Sequence, residues 1–412
     1  MKTVGIIAEY NPFHNGHAYQ IAQAKKMSGA DCCIVVMSGD FVQRGTPAIM
    51  DKYLRTASAL MNGADLVLEL PVYYAVGSAE YFASGAVALL DKLGVIDTLC
   101  FGSECGDINI LSDLSKVLLA ETPEFKRVLK QQMKQGDTYP QARNHALSVT
   151  APNLTGSLSV LQSPNNILGL EYIKALQKRQ SKIQPHTLNR VGAGYHASGL
   201  GSSYSSALAI RESIRQRQAI QYIREQVPSS VYTLMEDSFL HTFPILPDDM
   251  SLLLSYKLLS QQSRGYTAFL DIDDSFSDRL ARKLFTYTDY SSFCDRMKTK
   301  NMTYTRVSRN LLHILLDIFQ QDMDDFRKDD YVYYARILGF KKGAEPLLGA
   351  IKERSAIPLL SKLADADKVI DRPNGHKLLA ADIRAGHLYA LLIQQKYGGN
   401  IRNEYQQQII VM

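Results

Sequence analysis

The sequence predicts an α/β protein: a doubly wound parallel sheet followed by a mainly helical region. Three observations carry this. Short apolar runs alternate with helical patterns through the first 220 residues. Those runs are almost unbroken in apolar residues, as strands buried on both faces must be. Beyond residue 220 the alternation fades into successive helical patterns, from Val227 to Leu392.

The elements follow in order. Thr3–Glu9 (TVGIIAE) reads as the first strand, and Gly16–Met27 has helical spacing. Asp31–Met37 (DCCIVVM) is the second strand; Asp51–Asn62 is a helix whose acidic start suits the positive end of the dipole. Leu66–Leu70 is a third strand stopped by Pro71, and Ser78–Leu93 a helix. Ile96–Phe101 is a fourth strand ended by Gly102. A mostly helical stretch leads to a fifth strand at His186–Val191 and a helix at Ala207–Gln218. Two domains are expected, residues 1–220 and 221–412.

Composition excludes several classes. Of 412 residues, 46% are hydrophobic and 21% charged, which rules out a largely disordered, collagen-like or disulfide-stapled chain. The longest apolar runs stop well short of the roughly 20 residues that a membrane span needs. Met1–Glu9 is too short for a secretory signal and ends in a carboxylate. Five cysteines (32, 33, 100, 105 and 294) lack the spacing of a zinc site and read as reduced thiols of a cytoplasmic protein. No metal site is expected. The net charge of +5 permits a nucleic-acid partner without demanding one. Two stretches are locally basic. Arg296–Arg309 holds five basic residues and no acidic one, and Lys174–Arg217 holds eight against Glu212.

The segment after the first strand is the most informative: Ile7-Ala8-Glu9-Tyr10-Asn11-Pro12-Phe13-His14-Asn15-Gly16-His17-Ala18-Tyr19-Gln20. It contains H-x-G-H at the carboxyl end of a parallel strand, where open α/β sheets bind ligands. Pro12 ends the strand, and Gly16 lets a ligand approach the backbone. His14 and His17 share a face of the helix start, whose free N–H groups attract phosphate. Two imidazoles there can stabilise charge growing on a phosphoryl group in flight. The bland alternative is a pair of unrelated surface histidines.

His14-Asn15-Gly16-His17 on a doubly wound sheet resembles the nucleotidyltransferase superfamily, which splits ATP between its α- and β-phosphates and makes adenylates. The superfamily's second signature, usually Ser-Ser-Thr-x-x-Arg, has its counterpart in Tyr204-Ser205-Ser206-Ala207-Leu208-Ala209-Ile210-Arg211. Ser206 and Arg211 match it; Ala207 and Leu208 stand where hydroxyl residues are common, and Ser205 could supply the missing contact. An ordinary serine-capped helix is the competing reading.

The likeness narrows. Ala8–His17, Met37–Gly45 (MSGDFVQRG), Phe101-Gly102-Ser103-Glu104, Ser163–Gly169 (SPNNILG), Arg190–His196 (RVGAGYH) and Thr303–Arg306 together resemble the bacterial tRNA(Met) cytidine acetate ligases. The resemblance runs to about residue 340. It implies acetylation of the wobble cytidine of elongator tRNA(Met), using acetate and ATP through an acetyl-adenylate. It also implies that residues 1–220 form the catalytic ATP-binding domain and residues 221–412 a tRNA-binding one.

Individual residues then take expected roles. His14, His17, Asp40 and Arg44 are the catalytic candidates. Arg44 could hold a carboxylate or phosphate bidentately, and Asp40 could orient the amine or a metal-bound phosphate; the pair could equally be a salt-bridged surface loop. Residues 7–20 are ATP-binding candidates, with Gly102, Ser103, Asn165, Asn166, Arg190, Ser205, Ser206 and Arg211. The fourth strand should neighbour the first at the switch point, so Gly102 would offer bare backbone to adenine or ribose. Which of Asn165 and Asn166 meets ATP stays open. Mg²⁺ is expected with ATP, although no cage of carboxylates is visible. Lys298, Lys300, Tyr304, Arg306, Arg309, Lys341 and Lys342 are RNA-binding candidates, with Tyr331, Tyr333, Tyr334 and Arg336 in reserve for stacking and phosphate contact. No stable protein partner is expected. The alternatives are a small-molecule adenylyltransferase and a nucleotide-binding regulator without turnover.

Overall fold

The computed structural model describes residues 1–190, 205–217, 219–399 and 402–412. β-Branched residues are dense in β1 (Thr3–Ala8) and β2 (Cys32–Ser38); the short β3 (Phe41–Val42) and β4 (Thr46–Pro47), then β5 (Leu66–Leu70), β6 (Thr98–Ser103) and β7 (Gln184–Asn189) follow. β5, β2, β1, β6 and β7 lie side by side in that order, all parallel. The chain winds outward from β1 on one side, then crosses back to add β6 and β7 on the other, as a doubly wound sheet does. The expected neighbourhood of the first and fourth strands holds, with Val4 opposite Thr98.

Side-chain alternation divides the core into two. Ile34, Val36, Leu66, Leu68 and Leu99 face one way, and Val4, Ile6, Cys33, Val35 and Val67 face the other. Cys32 and Cys33 point to opposite faces as expected, and all five thiols are free. The helices between strands begin on side-chain caps. The Asp51 carboxylate accepts from Tyr53 N (2.8 Å) and Leu54 N (2.9 Å), and Ser78 caps the helix Ala79–Lys92.

The second half adds β8 (Ala335–Phe340) and β9 (Leu359–Leu360), within the stretch that the sequence reads as helical, and β10 (Ile410–Val411) beyond it. β8 pairs antiparallel with β5, Leu66 opposite Phe340, and β9 and β10 run parallel to β8. A six-residue apolar run such as β8 has the same periodicity as a buried helix turn; only its pairing partner settles its state. Residue 220 therefore does not divide the sheet, and one apolar cluster extends from Ile7 to Ile393.

A buried ion cluster joins the two halves. Lys52 Nζ, 1% exposed, lies 2.8 Å from Glu69 Oε1 and 2.9 Å from Glu404 Oε2. Arg336 Nη2 meets Glu404 Oε2 at 2.6 Å, and its Nη1 meets Glu69 Oε2 at 2.9 Å as an ion pair out of line for a hydrogen bond. Lys52 and Arg336 meet Glu69 and Glu404, with Asp40 Oδ2 3.7 Å from Lys52 Nζ as a third carboxylate; removing Glu404 takes from both cations the buried partner they share. Glu404→Ala is expected to destabilise the protein by about 3–5 kcal/mol, read as a fall in the urea midpoint. An unchanged midpoint would refute the coupling.

Candidate active site

The site is built from three chain segments at the carboxyl edge of the parallel strands. The first leaves β1. Tyr10 takes a left-handed φ of 49°, a conformation costing about 1–3 kcal/mol for a non-glycine residue. The turn is held on both sides: Asn11 Oδ1 accepts from Ile49 N (2.7 Å), and the Asn11 carbonyl accepts from Arg211. His14 is then the N-cap of the helix Asn15–Ser28. Its Nδ1 accepts from Gly16 N (3.1 Å), while its own backbone N–H donates to His17 Nδ1 (3.2 Å). The two rings stack at 3.7 Å. With both Nδ1 atoms accepting, both rings carry their proton on Nε2, so each keeps one N–H donor to offer. A Cβ on residue 16 would lie 2.9 Å from His14 Cε1. The glycine thus makes room for the His14 ring; the sequence assigned that room to the ligand.

Burial, then the positive Arg190 and Arg211, hold the His14 imidazole down at about 3. Burial and His14 hold His17 well below the usual range. Both rings are therefore neutral at neutral pH.

The second segment follows β2. Arg55, fully buried, donates Nε to Met50 O (2.9 Å), Nη1 to Glu9 O (2.7 Å) and Ser38 O (3.0 Å), and Nη2 to Gly39 O. One guanidinium thereby fixes the ends of β1 and β2 against each other. The loop it anchors carries Arg44 into the cleft, and Gln43 N donates to Glu9 Oε1 at 2.8 Å.

The third segment joins the end of β6 to the helix Pro164–Lys178. Glu104 accepts from Asn165 Nδ2 (2.6 Å) and Asn166 N (2.9 Å) at that helix start, and Asn166 Oδ1 accepts from Glu104 N and Cys105 N. Asn166 is spent on this lock; Asn165 lines the cleft. A Cβ on Gly102 would lie 3.2 Å from Arg190 Cγ, so the glycine lets the arginine stem cross the strand end.

Together with Phe82 and the stretch Ser206–Arg211, these segments line an open cleft. One wall is apolar: Ile7, Phe82, Phe101, Leu168 and Tyr172. The other carries His14, His17, Arg44, Arg190 and Arg211, with Ser206, Ala207 and Leu208 at the start of the helix Ala207–Arg217. Burial lowers Arg211 to about 10 despite the nearby Glu9. Three arginines against the single carboxylate of Glu9 make the lining cationic. Such a cleft fits a flat apolar ring at one end and a polyanion at the other. No group of three potential metal ligands occurs among the described residues. A divalent cation would therefore be held by phosphate oxygens and water, with Glu9 as the one carboxylate at hand.

Several expected residues lie elsewhere. Within 7–20, residues 7–11, 14, 17 and 20 line the cleft; Pro12, Phe13, Asn15, Gly16, Ala18 and Tyr19 do not. Phe13 packs on Tyr10 and His17, and Asn15 Nδ2 donates to Glu225 O. Asp40 is buried outside the cleft, accepting from Lys52 N (2.8 Å), and burial raises its carboxyl. It steadies the loop and does not reach a reacting group. Ser103 Oγ accepts from Thr187 Oγ1 (2.7 Å) and Gly106 N, and Ser205 N donates to Gln226 Oε1; neither serine lines the cleft. Residues 191–196 and Tyr204 lie outside the described residues.

Among the RNA candidates, Lys298, Lys300 and Arg306 are exposed, and Tyr304 and Arg309 are half-buried. Tyr333, Tyr334 and Arg336 are buried, the arginine in the ion cluster, so they offer no stacking face or phosphate contact. Lys341 N donates to Asp65 O, immediately before β5. Lys341 and Lys342 thus sit at the amino edge of the parallel strands, opposite the cleft. The apolar wall was missed. Its signal was Gly169 within a helix: a Cβ there would lie 2.6 Å from Phe101.

An H-x-G-H cap over a cationic crevice defines a nucleotidyltransferase-type site. A profile of the HIGH Nucleotidyl Transferase family matches residues 1–404, and the chain belongs to that family. Among curated relatives, a tRNA(Met) cytidine acetate ligase of Acetivibrio thermocellus is 38% identical over the full length of both chains. One of Halothermothrix orenii with the same name is 37% identical over 95% of each. The crystal structures of Thermotoga maritima TmcAL, apo and bound with alpha-thio ATP, superpose with TM-scores of 0.94 and 0.92 at 29% identity, covering both chains fully.

Two predictions follow from the cap. Gly16→Ala should displace the His14 ring and weaken ATP binding at least tenfold by calorimetry, while the fold, read by circular dichroism, persists. Acid should also destabilise the protein through His14. Its folded value of about 3 lies below the unfolded value of about 6.5. Below pH 6.5 the unfolded chain takes up a proton that the folded one refuses, so stability falls as pH falls, by at most about 1.4 kcal/mol per pH unit for this ring. Urea unfolding at pH 7.5 and 5.5 should show a smaller loss in His14→Asn, which keeps a capping side chain.

Proposed function

We infer that this protein is an ATP-dependent ligase that acetylates N4 of the wobble cytidine of elongator tRNA(Met), releasing AMP and pyrophosphate. The observation that carries this is the neutral His14–His17 pair over a helix start, facing three arginines in a cleft with one apolar wall. Full-length similarity to named tRNA(Met) cytidine acetate ligases supports the same reading. A small-molecule adenylyltransferase is not favoured, because the likeness extends through the second half.

The apolar wall takes the adenine. Arg190 and Arg211 hold phosphate oxygens. An acetate oxygen, held beside Arg44, attacks the α-phosphorus, and pyrophosphate leaves. The Nε2–H donors of His14 and His17 stabilise charge on the oxygens around the phosphorus. Holding acetate in line supplies much of the remaining acceleration. The cytidine N4 amine then attacks the acetyl carbonyl carbon, AMP leaves, and Glu9 is the cleft carboxylate available to take the amine proton. Mg²⁺ is expected to enter on the ATP phosphates. Free thiols and the absence, among the described residues, of a helix long and apolar enough to cross a membrane accord with a cytoplasmic enzyme.

The test is one incubation with ATP, Mg²⁺, labelled acetate and unmodified elongator tRNA(Met), followed by nucleoside digestion. Labelled N4-acetylcytidine is expected, falling roughly 10²–10³-fold in His17→Ala, as for loss of one donor to a developing oxyanion. AMP release without label in the tRNA would overturn the acceptor assignment.

A further inference from the structure

We propose that the anticodon arm lies along a basic track running from the cleft at Arg44, past Arg309 and Arg306, to the exposed face of the helix Pro123–Lys134. This rests on the tRNA ligase reading and adds where the RNA backbone goes.

Three contacts make the track continuous. Gly45, next to the cleft-lining Arg44, lies on the backbone of Ser308 and Arg309; a Cβ on it would be 2.4 Å from Arg309 N. Its φ of 80° and its carbonyl, held by Ser308 Oγ (3.0 Å) and Tyr290 Oη, fix that junction. Ser308 and Arg309 lie in the second turn of the helix Tyr304–Leu316, which is preceded by the loop that carries Lys298 and Lys300. Lys300 Nζ then donates to Gly136 O at 3.3 Å, which brings this loop against the end of the helix Pro123–Lys134.

That helix belongs to the long connection between β6 and β7 and packs through Phe125 and Val128, leaving its outer face to solvent. It holds four basic residues and one acidic. Lys126, Lys130 and Lys134 recur every fourth residue, forming a stripe about 12 Å long. Like charges at that spacing destabilise a helix by themselves. Glu121 meets Lys126 at 3.6 Å and Glu124 meets Arg127 at 3.9 Å, while Lys130 and Lys134 meet no carboxylate among the described residues. A polyphosphate backbone answers that charge. The path from stripe to cleft would carry the splayed anticodon base inward while flanking phosphates stay on the stripe.

The experiment compares full-length wild type with Lys130→Glu/Lys134→Glu and, at the opposite sheet edge, Lys341→Glu/Lys342→Glu. Elongator tRNA(Met) binding is measured at several salt concentrations, and ATP binding by calorimetry. For Lys130→Glu/Lys134→Glu, tRNA affinity should fall at least tenfold and the salt slope by about 2, with ATP affinity unchanged. Wild-type tRNA affinity in that variant, or an equal loss in Lys341→Glu/Lys342→Glu, would overturn the track. Wild-type protein that binds ATP and not tRNA would overturn the ligase reading itself.

Discussion

The carboxyl edge of the sheet depends on one buried guanidinium. Parallel strands end in carbonyls that have no further ladder partner, and buried carbonyls must be satisfied. Arg55 satisfies three at or just beyond strand ends, from Glu9, Ser38 and Gly39, and a fourth from Met50 before its own helix, without a carboxylate as direct partner. Arginine suits this task because its five N–H groups form a rigid fork with no acceptor among them. The two strand ends it joins lead into the histidine cap and the Arg44 loop, so the spacing of the reacting groups is set from below the cleft.

Above that support, the cleft works by opposing burdens. Burial and neighbouring arginines keep both histidines neutral, and each is left with a single N–H to present. Arginine charges in a partly desolvated wall are costly until an anion arrives. The same arrangement thus disfavours the empty site and favours phosphate. Glu9 tempers the cationic wall from within.

The second half of the chain does more than add a partner domain. Its strand β8 extends the sheet beyond β5, and Glu404 returns to the sheet to join the buried cluster of Lys52, Arg336, Glu69 and Asp40. The loop that carries Arg44 is also pinned to the helix Tyr304–Leu316 through Gly45. Movement of the second half would therefore be felt at the reacting end of the cleft.

The parallel strands, their order of winding, the H-x-G-H cap and the second-motif arginine were all legible in the sequence. They rest on local periodicity, capping and short spacing, which neighbours along the chain determine. What tertiary structure decided was different in kind. Asp40 reads as a residue that orients the amine or a phosphate and proves to be a buried loop anchor; Asn165 and Asn166, adjacent in sequence, both bind Glu104, and of the two Asn165 lines the cleft. β8 becomes a strand because β5 offers an edge, and Phe82, Phe101 and Tyr172 meet as one wall from three separate elements. Sequence by itself determined which backbone forms the site and which residues cap it. Only the packed chain decided which polar groups stay free for a ligand, because that depends on partners distant in sequence that satisfy or bury the rest.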